Sequence, residues 1–280
     1  LSASGAGEKV SEITEVPLRP ASPPVTMTGS GVAKAGTTSK FMLPANWIPG
    51  TADFDIALSS FPAVQFAGSL QYLLQYPYGC AEQTTSRVFP LLYFNDMVKV
   101  IEPKLFGAKS ADYYVTEGIT KLIGMQMPNG DFSFWPSGGF GSAWTSIYVT
   151  HFLVEARKAG YEVPDRTYNS MIKAMKAHAR GPITDGWQLE IKTYACYVLA
   201  IAGEPDKSTM LYLKNTELNR MSDFSQFQLA GAFALSGDMN TANSMIPKTV
   251  VARDAKRESG HNFNSSVRAD AIMLDVLAEV

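Results

Sequence analysis

The sequence contains few of the residues that build metal sites and disulfide frameworks. Its 280 residues include only two cysteines and three histidines. Cys80 and Cys196 are too few to staple a small secreted domain, and neither stands in a Cys-x-x-Cys or Cys/His spacing that holds zinc. We therefore expect no metal ion and no other cofactor. The apolar run TYACYVLAIAG surrounds Cys196, which indicates a small buried side chain in a helix.

The sequence also lacks an excess of positive charge and any long apolar run. Lys and Arg number 24 against 26 Asp and Glu, so the formal net charge is -2 and a nucleic-acid partner is disfavoured. No run approaches the ~20 apolar residues that a membrane-spanning helix needs, and the first residues do not resemble a signal peptide. Because the chain begins with Leu1 and stops within a helical pattern, we expect it to be a piece of a longer protein.

The first 62 residues differ in pattern from the rest. They are rich in Pro, Ser, Thr and Gly, and the stretch ADFDIALSS places Phe54, Ile56 and Leu58 at a period of two. This period is typical of a half-buried strand. We therefore assign residues 1–62 to an extended or β segment, either a linker or part of a small β domain, and residues 63–280 to a second domain.

In the second domain the apolar period changes to 3.6, which predicts helices. Short loops separate them, and helices joined by short loops are antiparallel neighbours. Some are apolar around most of their circumference and belong inside, whereas others carry a charged face and belong outside. We therefore predict a mainly α fold, an α/α-toroid with an inner and an outer ring of helices. The predicted helices cover residues 65–74, 82–100, 111–126, 143–159, 165–180, 187–202, 207–218, 222–236 and 265–280.

The stretch YPYGCAEQTTSR, residues 76–87, carries a candidate reaction. If Cys80 begins a helix, Gln83 lies about 4.5 Å further along the axis on nearly the same face, and the helix dipole favours a thiolate. A thiolate held against a carboxamide can expel ammonia and leave an internal thioester. Gly79 supplies backbone freedom at the helix entry. Glu82 is either an orienting carboxylate or an ordinary acidic residue of the first turn.

A thioester persists only where water is excluded, so the motif requires a dry pocket. The candidates for this pocket are Tyr76, Tyr78 and Trp135, with Met125 and Met127 as further candidates. Large apolar side chains at helical spacing commonly pack in a core, so an ordinary core position is the alternative for each of them.

The motif resembles the thioester motif of the alpha-2-macroglobulin family, above all its bacterial members, with the form Tyr-Pro-Tyr-Gly-Cys-x-Glu-Gln-Thr-Thr-Ser. Similarity continues in LSSFPAVQFAGSLQYLLQYPYGC, in NGDFSFWPSGGFGSAWTS and in NFNSSVRADAIMLDVL. The resemblance implies an α/α-toroid inserted between strands of a small β domain of the CUB type. This is the fold class that the helix pattern predicts, with residues 1–62 as the incoming β part.

The resemblance also implies a function, a single-use covalent protease inhibitor rather than an enzyme. A lysine amine of the target protease attacks the thioester, is acylated by Gln83 and frees the Cys80 thiol. Residues 131–144 contain no histidine that could redirect the acyl group to hydroxyls, so we expect reaction with methylamine and not with glycerol. We expect His151 to pack against a facing helix. The family's bacterial members are lipid-anchored in the periplasm at the inner membrane, where they defend the envelope, often alongside a peptidoglycan synthase.

Two other functions are left open by the residues. The toroid could be a scaffold for protein interaction that never forms the thioester. It could also be a toroid enzyme of the terpene-cyclase type, which QMPNGDFSFW faintly resembles, although the sequence has no Asp-rich acid motif.

Overall fold

The structure is a computed structural model that describes residues 1–15, 79–101, 109–246 and 265–279, together with most residues between 23 and 60. The chain divides into two compact units, Leu1–Leu58 and Ser59–Val280. The boundary predicted between residues 62 and 63 and the helix predicted at 65–74 lie outside the described residues.

The first unit contains a β-hairpin. Its strands β1 (Ser2–Gly5) and β2 (Glu8–Ser11) pair antiparallel. Ala6 and Gly7 join them, with φ of 50° and 84°. Two successive residues at positive φ match the right-handed twist of the paired strands, which is why such turns are preferred in tight hairpins.

The strand predicted around Phe54 is wrong for the residues described there. Phe54, Ile56 and Leu58 lie in irregular backbone and are 49%, 66% and 88% exposed. A period of two predicts a strand only where a partner strand and a core are available to satisfy its two faces, and the residues that the structure describes provide neither here.

The second unit is mostly helical, and the helices predicted from residue 82 onward are present. The helix predicted at 207–218 departs from α geometry after Tyr212, where a π-helical turn (Leu213–Glu217) and a 3-10 turn (Leu218–Arg220) follow. The α-helices of the described residues are α1 (Ala81–Ile101), α2 (Ala111–Ile123), α3 (Ala143–Lys158), α4 (Asp165–Arg180), α5 (Gly186–Ile201), α6 (Lys207–Tyr212), α7 (Asp223–Leu235), α8 (Met239–Met245) and α9 (Ser266–Glu279).

These helices alternate between two rings. The odd-numbered helices α1, α3, α5, α7 and α9 pack against one another in series, and α2, α4 and α8 pack onto them. Burial follows the same alternation, because twelve of the sixteen residues of α5 are buried and only six of the sixteen of α4. The second unit is an α/α-toroid, which confirms the predicted fold class. None of the described helices is both long enough and apolar enough to span a bilayer.

Candidate functional site

The motif predicted to form a thioester lies at the start of the inner-ring helix α1. Cys80 directly precedes the helix, and its carbonyl accepts a hydrogen bond from the Thr84 amide at 2.9 Å. The side-chain Oε1 of Gln83 accepts a hydrogen bond from the backbone N–H of Cys80 at 3.1 Å. This contact is one half of a capping box, in which a residue in the first turn satisfies the amide of the residue before the helix.

The capping contact has a chemical consequence. It brings the carboxamide of Gln83 back to the backbone of Cys80, the residue that carries the thiol. The Cys80 N–H also points at the oxygen that becomes negatively charged when a nucleophile adds to the Gln83 acyl carbon. A hydrogen-bond donor held at such an oxygen stabilises the tetrahedral intermediate.

Gly79 is required here for steric reasons. Its φ is not positive, unlike that of the turn glycines of the chain. A Cβ atom at position 79 would lie 2.8 Å from Thr84 Oγ1 and 3.2 Å from Lys121 Nζ. The glycine makes room for two neighbouring side chains, and its role in backbone freedom at the helix entry stays a prediction.

Glu82 points toward the next helix of the inner ring. Its carboxylate accepts a hydrogen bond from the Ser86 hydroxyl at 3.0 Å, and that hydroxyl lies 3.3 Å from the phenol oxygen of Tyr148 in α3. Burial raises the pKa of Tyr148, so the phenol stays protonated and available as a donor. The chain of contacts joins the first turn of α1 to α3, while an orienting role of Glu82 at the thioester stays a prediction.

The loop between α2 and α3 closes on the start of α1. The Phe134 carbonyl accepts a hydrogen bond from the Ala81 N–H at 2.9 Å. The first amides of a helix have no acceptor within the helix. The loop supplies a carbonyl acceptor for one of these amides. Ser133 braces the loop, because its N–H donates to the Met125 carbonyl at 2.9 Å and its hydroxyl to the Trp135 carbonyl at 2.7 Å.

The residues predicted to form a dry pocket have different surroundings. Met125 is a core residue with 1% of its surface exposed, and Met127 is partly buried. Trp135 is 55% exposed. Tyr76 and Tyr78 lie outside the described residues. A water-excluding pocket made of these side chains stays a prediction.

His151 packs against facing helices, as expected. Its ring contacts that of Phe89 in α1 edge-on, with centroids 5.0 Å apart, and its Nδ1 lies 3.0 Å from the Tyr194 hydroxyl in α5. Burial lowers the pKa of His151 to about 4, so the imidazole is neutral near pH 7.

The second cysteine is inert. Cys196 is fully buried in α5, and burial raises the pKa of its thiol to about 12. Its prediction as a core residue is confirmed. Within the part of the chain that the structure describes, no three His, Cys, Asp or Glu side chains cluster in a way that could hold a metal ion.

Sequence reasoning missed the neighbours of the motif that come from other elements. Lys121 in the last turn of α2, Tyr148 in α3 and the Phe134 carbonyl are distant in the sequence and meet α1 only in the folded chain. The one available signal was the segment NGDFSFW, which the family resemblance had already singled out.

Comparisons with known proteins agree with this fold. Residues 53–179 match the family model described as the A-macroglobulin TED domain, TED denoting the thioester-containing domain. The chain is 29% identical, over 95% of its length, to the alpha-2-macroglobulin of Escherichia coli strain K12, and it spans 17% of the length of that relative.

Two solved structures share the fold. Over 78% of the chain, the structure matches E. coli alpha-2-macroglobulin activated by porcine elastase with a TM-score of 0.64 at 28% identity, covering 20% of that protein. Over 76%, it matches Salmonella alpha-2-macroglobulin reacted with methylamine with a TM-score of 0.63 at 26% identity, covering 15% of that protein. In sequence and in fold, the helical unit is therefore similar to the thioester-containing domain of the bacterial alpha-2-macroglobulins.

Proposed function

We propose that this chain forms an internal thioester between Cys80 Sγ and the acyl carbon of Gln83 and that this bond traps proteases covalently. The observation that carries the proposal is the hydrogen bond from the Cys80 N–H to Gln83 Oε1. The relatives support it, since one E. coli protein was activated by elastase and a Salmonella protein was reacted with methylamine.

The thioester forms in one addition and one elimination. The Cys80 thiolate adds to the Gln83 acyl carbon, the Cys80 N–H stabilises the oxyanion, and the nitrogen leaves as ammonia after it takes up a proton. Because the capping contact holds the two groups together, the reaction benefits from an effective molarity of about 10⁵ M or more.

Trapping is the reverse of thioester formation, with a lysine amine of the protease in place of ammonia. A neutral lysine amine of the protease adds to the acyl carbon, the C–N bond forms, the C–S bond breaks, and the proton of the amine ends on the Cys80 sulfur. The bond is not regenerated, so each molecule acts once as an inhibitor and is not an enzyme. His151 is engaged by Tyr194 and cannot act as an acyl carrier that redirects the reaction to hydroxyls.

The cellular location is proposed from the family resemblance alone. It places the protein in the periplasm, anchored at the inner membrane, where it defends the envelope against proteases in the neighbourhood of a peptidoglycan synthase. Fractionation of cells that carry the protein, with and without its lipid anchor, tests this location.

The thioester itself is tested by mass. The freshly folded chain should have a mass one ammonia below that of the sequence, and methylamine should add to Gln83 and release one thiol at Cys80. Glycerol should leave the chain unchanged. Gln188 is the matched control for Gln83, because it occupies the same position in the first turn of α5 behind Asp185 rather than behind a cysteine.

Variants distinguish the effect of losing a thioester residue from the effect of a similar substitution elsewhere in the fold. Cys80→Ala and Gln83→Ala should restore the full sequence mass, whereas Gln188→Ala and Cys196→Ala should behave like the unchanged chain. A folded chain of full mass, with a Cys80 that reacts directly with thiol reagents, contradicts the proposal. That result favours the toroid scaffold that never forms the bond.

A further inference from the structure

We propose that Lys121 is an internal target of this thioester, so that a chain that meets no protease joins Gln83 to its own Lys121 through an isopeptide bond. This inference rests on the proposed function, because it uses the same acyl group. It adds a self-capture reaction that limits how long the reactive bond lasts.

The geometry brings the amine to the site. Lys121 lies in the last turn of α2, which packs against α1, and its Nζ lies 3.2 Å from the point where a Cβ of Gly79 would be. Gly79 directly precedes Cys80, whose N–H holds the Gln83 carbonyl at 3.1 Å. The amine and the acyl group therefore approach the same two consecutive residues of the backbone.

Lys121 is free to move toward the acyl carbon. The side chain is exposed, and its long flexible stem can change rotamer at little cost. Lys109 provides a contrast, because its Nζ donates a hydrogen bond to the Tyr113 hydroxyl at 3.0 Å and lies 4.1 Å from the centre of that ring. Lys109 is therefore the matched control, a lysine just before the start of the same helix with its amine engaged.

The chemistry of an alkyl amine explains why self-capture is slow. An ammonium ion has no lone pair, so the residue attacks only after it loses its proton. Self-capture therefore accelerates as the pH rises, and a target amine delivered during activation reacts first.

The reaction balances without any further reagent. The Lys121 amine adds to the Gln83 acyl carbon, the C–N bond forms, the C–S bond breaks, and the proton released by nitrogen is taken up by the Cys80 thiolate. No atom leaves the chain, so the mass stays one ammonia below the sequence mass. Hydrolysis differs, because it adds one water. An amine in the same molecule has the advantage of high effective molarity over dilute competitors.

The test uses the full 280-residue chain. A sample that is one ammonia light and that takes up methylamine is incubated without amine at pH 7 and pH 8.5, and its mass, its free thiols and its peptide map are followed. We expect the Cys80 thiol to appear without a change of mass, with loss of methylamine uptake and with a Gln83–Lys121 cross-linked peptide that forms faster at pH 8.5.

Variants at the two lysines decide the outcome. Lys121→Arg keeps the charge but has no nucleophilic amine, so the cross-linked fraction should fall at least tenfold and the bond should be lost to water. Lys109→Arg should behave like the unchanged chain. A chain that takes up methylamine but loses its bond only by hydrolysis, or through another lysine, overturns this inference alone. A chain of full sequence mass from the start overturns the proposed function as well.

Discussion

Lowering the pH from 7 to 4.5 should destabilise the unchanged chain, and it should destabilise the His151→Asn variant much less. The imidazole is enclosed by the inner ring, with Phe89 on one side and Tyr194 at hydrogen-bonding distance. Burial lowers its pKa to about 4, Glu155 partly opposes this shift, and Lys158 adds to it.

The magnitude follows from the two states of the chain. The folded chain keeps His151 neutral down to about pH 4, whereas an unfolded chain protonates it near pH 6.5. Between these values the unfolded chain binds more protons, so the free energy of unfolding falls as the pH decreases. At about 1.4 kcal/mol per pKa unit, this residue should cost the folded chain about 2.5 kcal/mol at pH 4.5.

Urea unfolding of both proteins at the two pH values measures the effect. Asn retains an oxygen that can accept a hydrogen bond from Tyr194 but does not titrate. We expect His151→Asn to be about 1–2 kcal/mol less stable at pH 7, because ring packing is lost, and to be at least as stable as the unchanged chain near pH 4.5. Carboxylates titrate in both proteins and cancel in the difference. Equal losses of stability in both proteins would refute a buried, neutral imidazole.

Three further substitutions test the scaffold around the site. A Cβ at position 141 would lie 2.1 Å from the Phe132 carbonyl oxygen, so Gly141→Ala should cost about 3 kcal/mol or more in thermal unfolding. Gly139→Ala in the same loop meets nothing within 4 Å and should be nearly neutral, and equal effects at the two positions would contradict the packing of the loop. Ser86→Ala removes the hydroxyl between α1 and Tyr148 and should cost about 1 kcal/mol in urea unfolding, with methylamine uptake retained. A complete loss of uptake would mean that this contact acts on the thioester and not only on the helix.

The fold was largely predictable because its helices carry strong local signals. The helix α4 has the predicted bounds of residues 165–180, since its amphipathic period runs from behind Pro164 to Gly181. The helix α8 (Met239–Met245) was missed, because seven residues are too few for a period of 3.6 to stand out.

The site was predictable only where its geometry is local. Cys80 and Gln83 are in contact because they are three residues apart at the start of a helix. The spacing alone predicts this contact once the helix start is known. Lys121 and the Phe134 carbonyl reach the site through packing of α2 and of the loop that follows it. No spacing rule encodes such contacts between distant segments.

The hydrogen bond between Ala81 and Phe134 ties the start of α1 to a loop that is synthesised later. During synthesis the cysteine and glutamine leave the ribosome before the loop that provides the acceptor for the first amide of α1. Until that loop is made, we expect the start of the helix to fray and to leave an ordinary thiol and an ordinary amide. The proposed thioester would then form late, when neighbouring helices are already in place, and an incomplete chain would not acylate the chaperones around it.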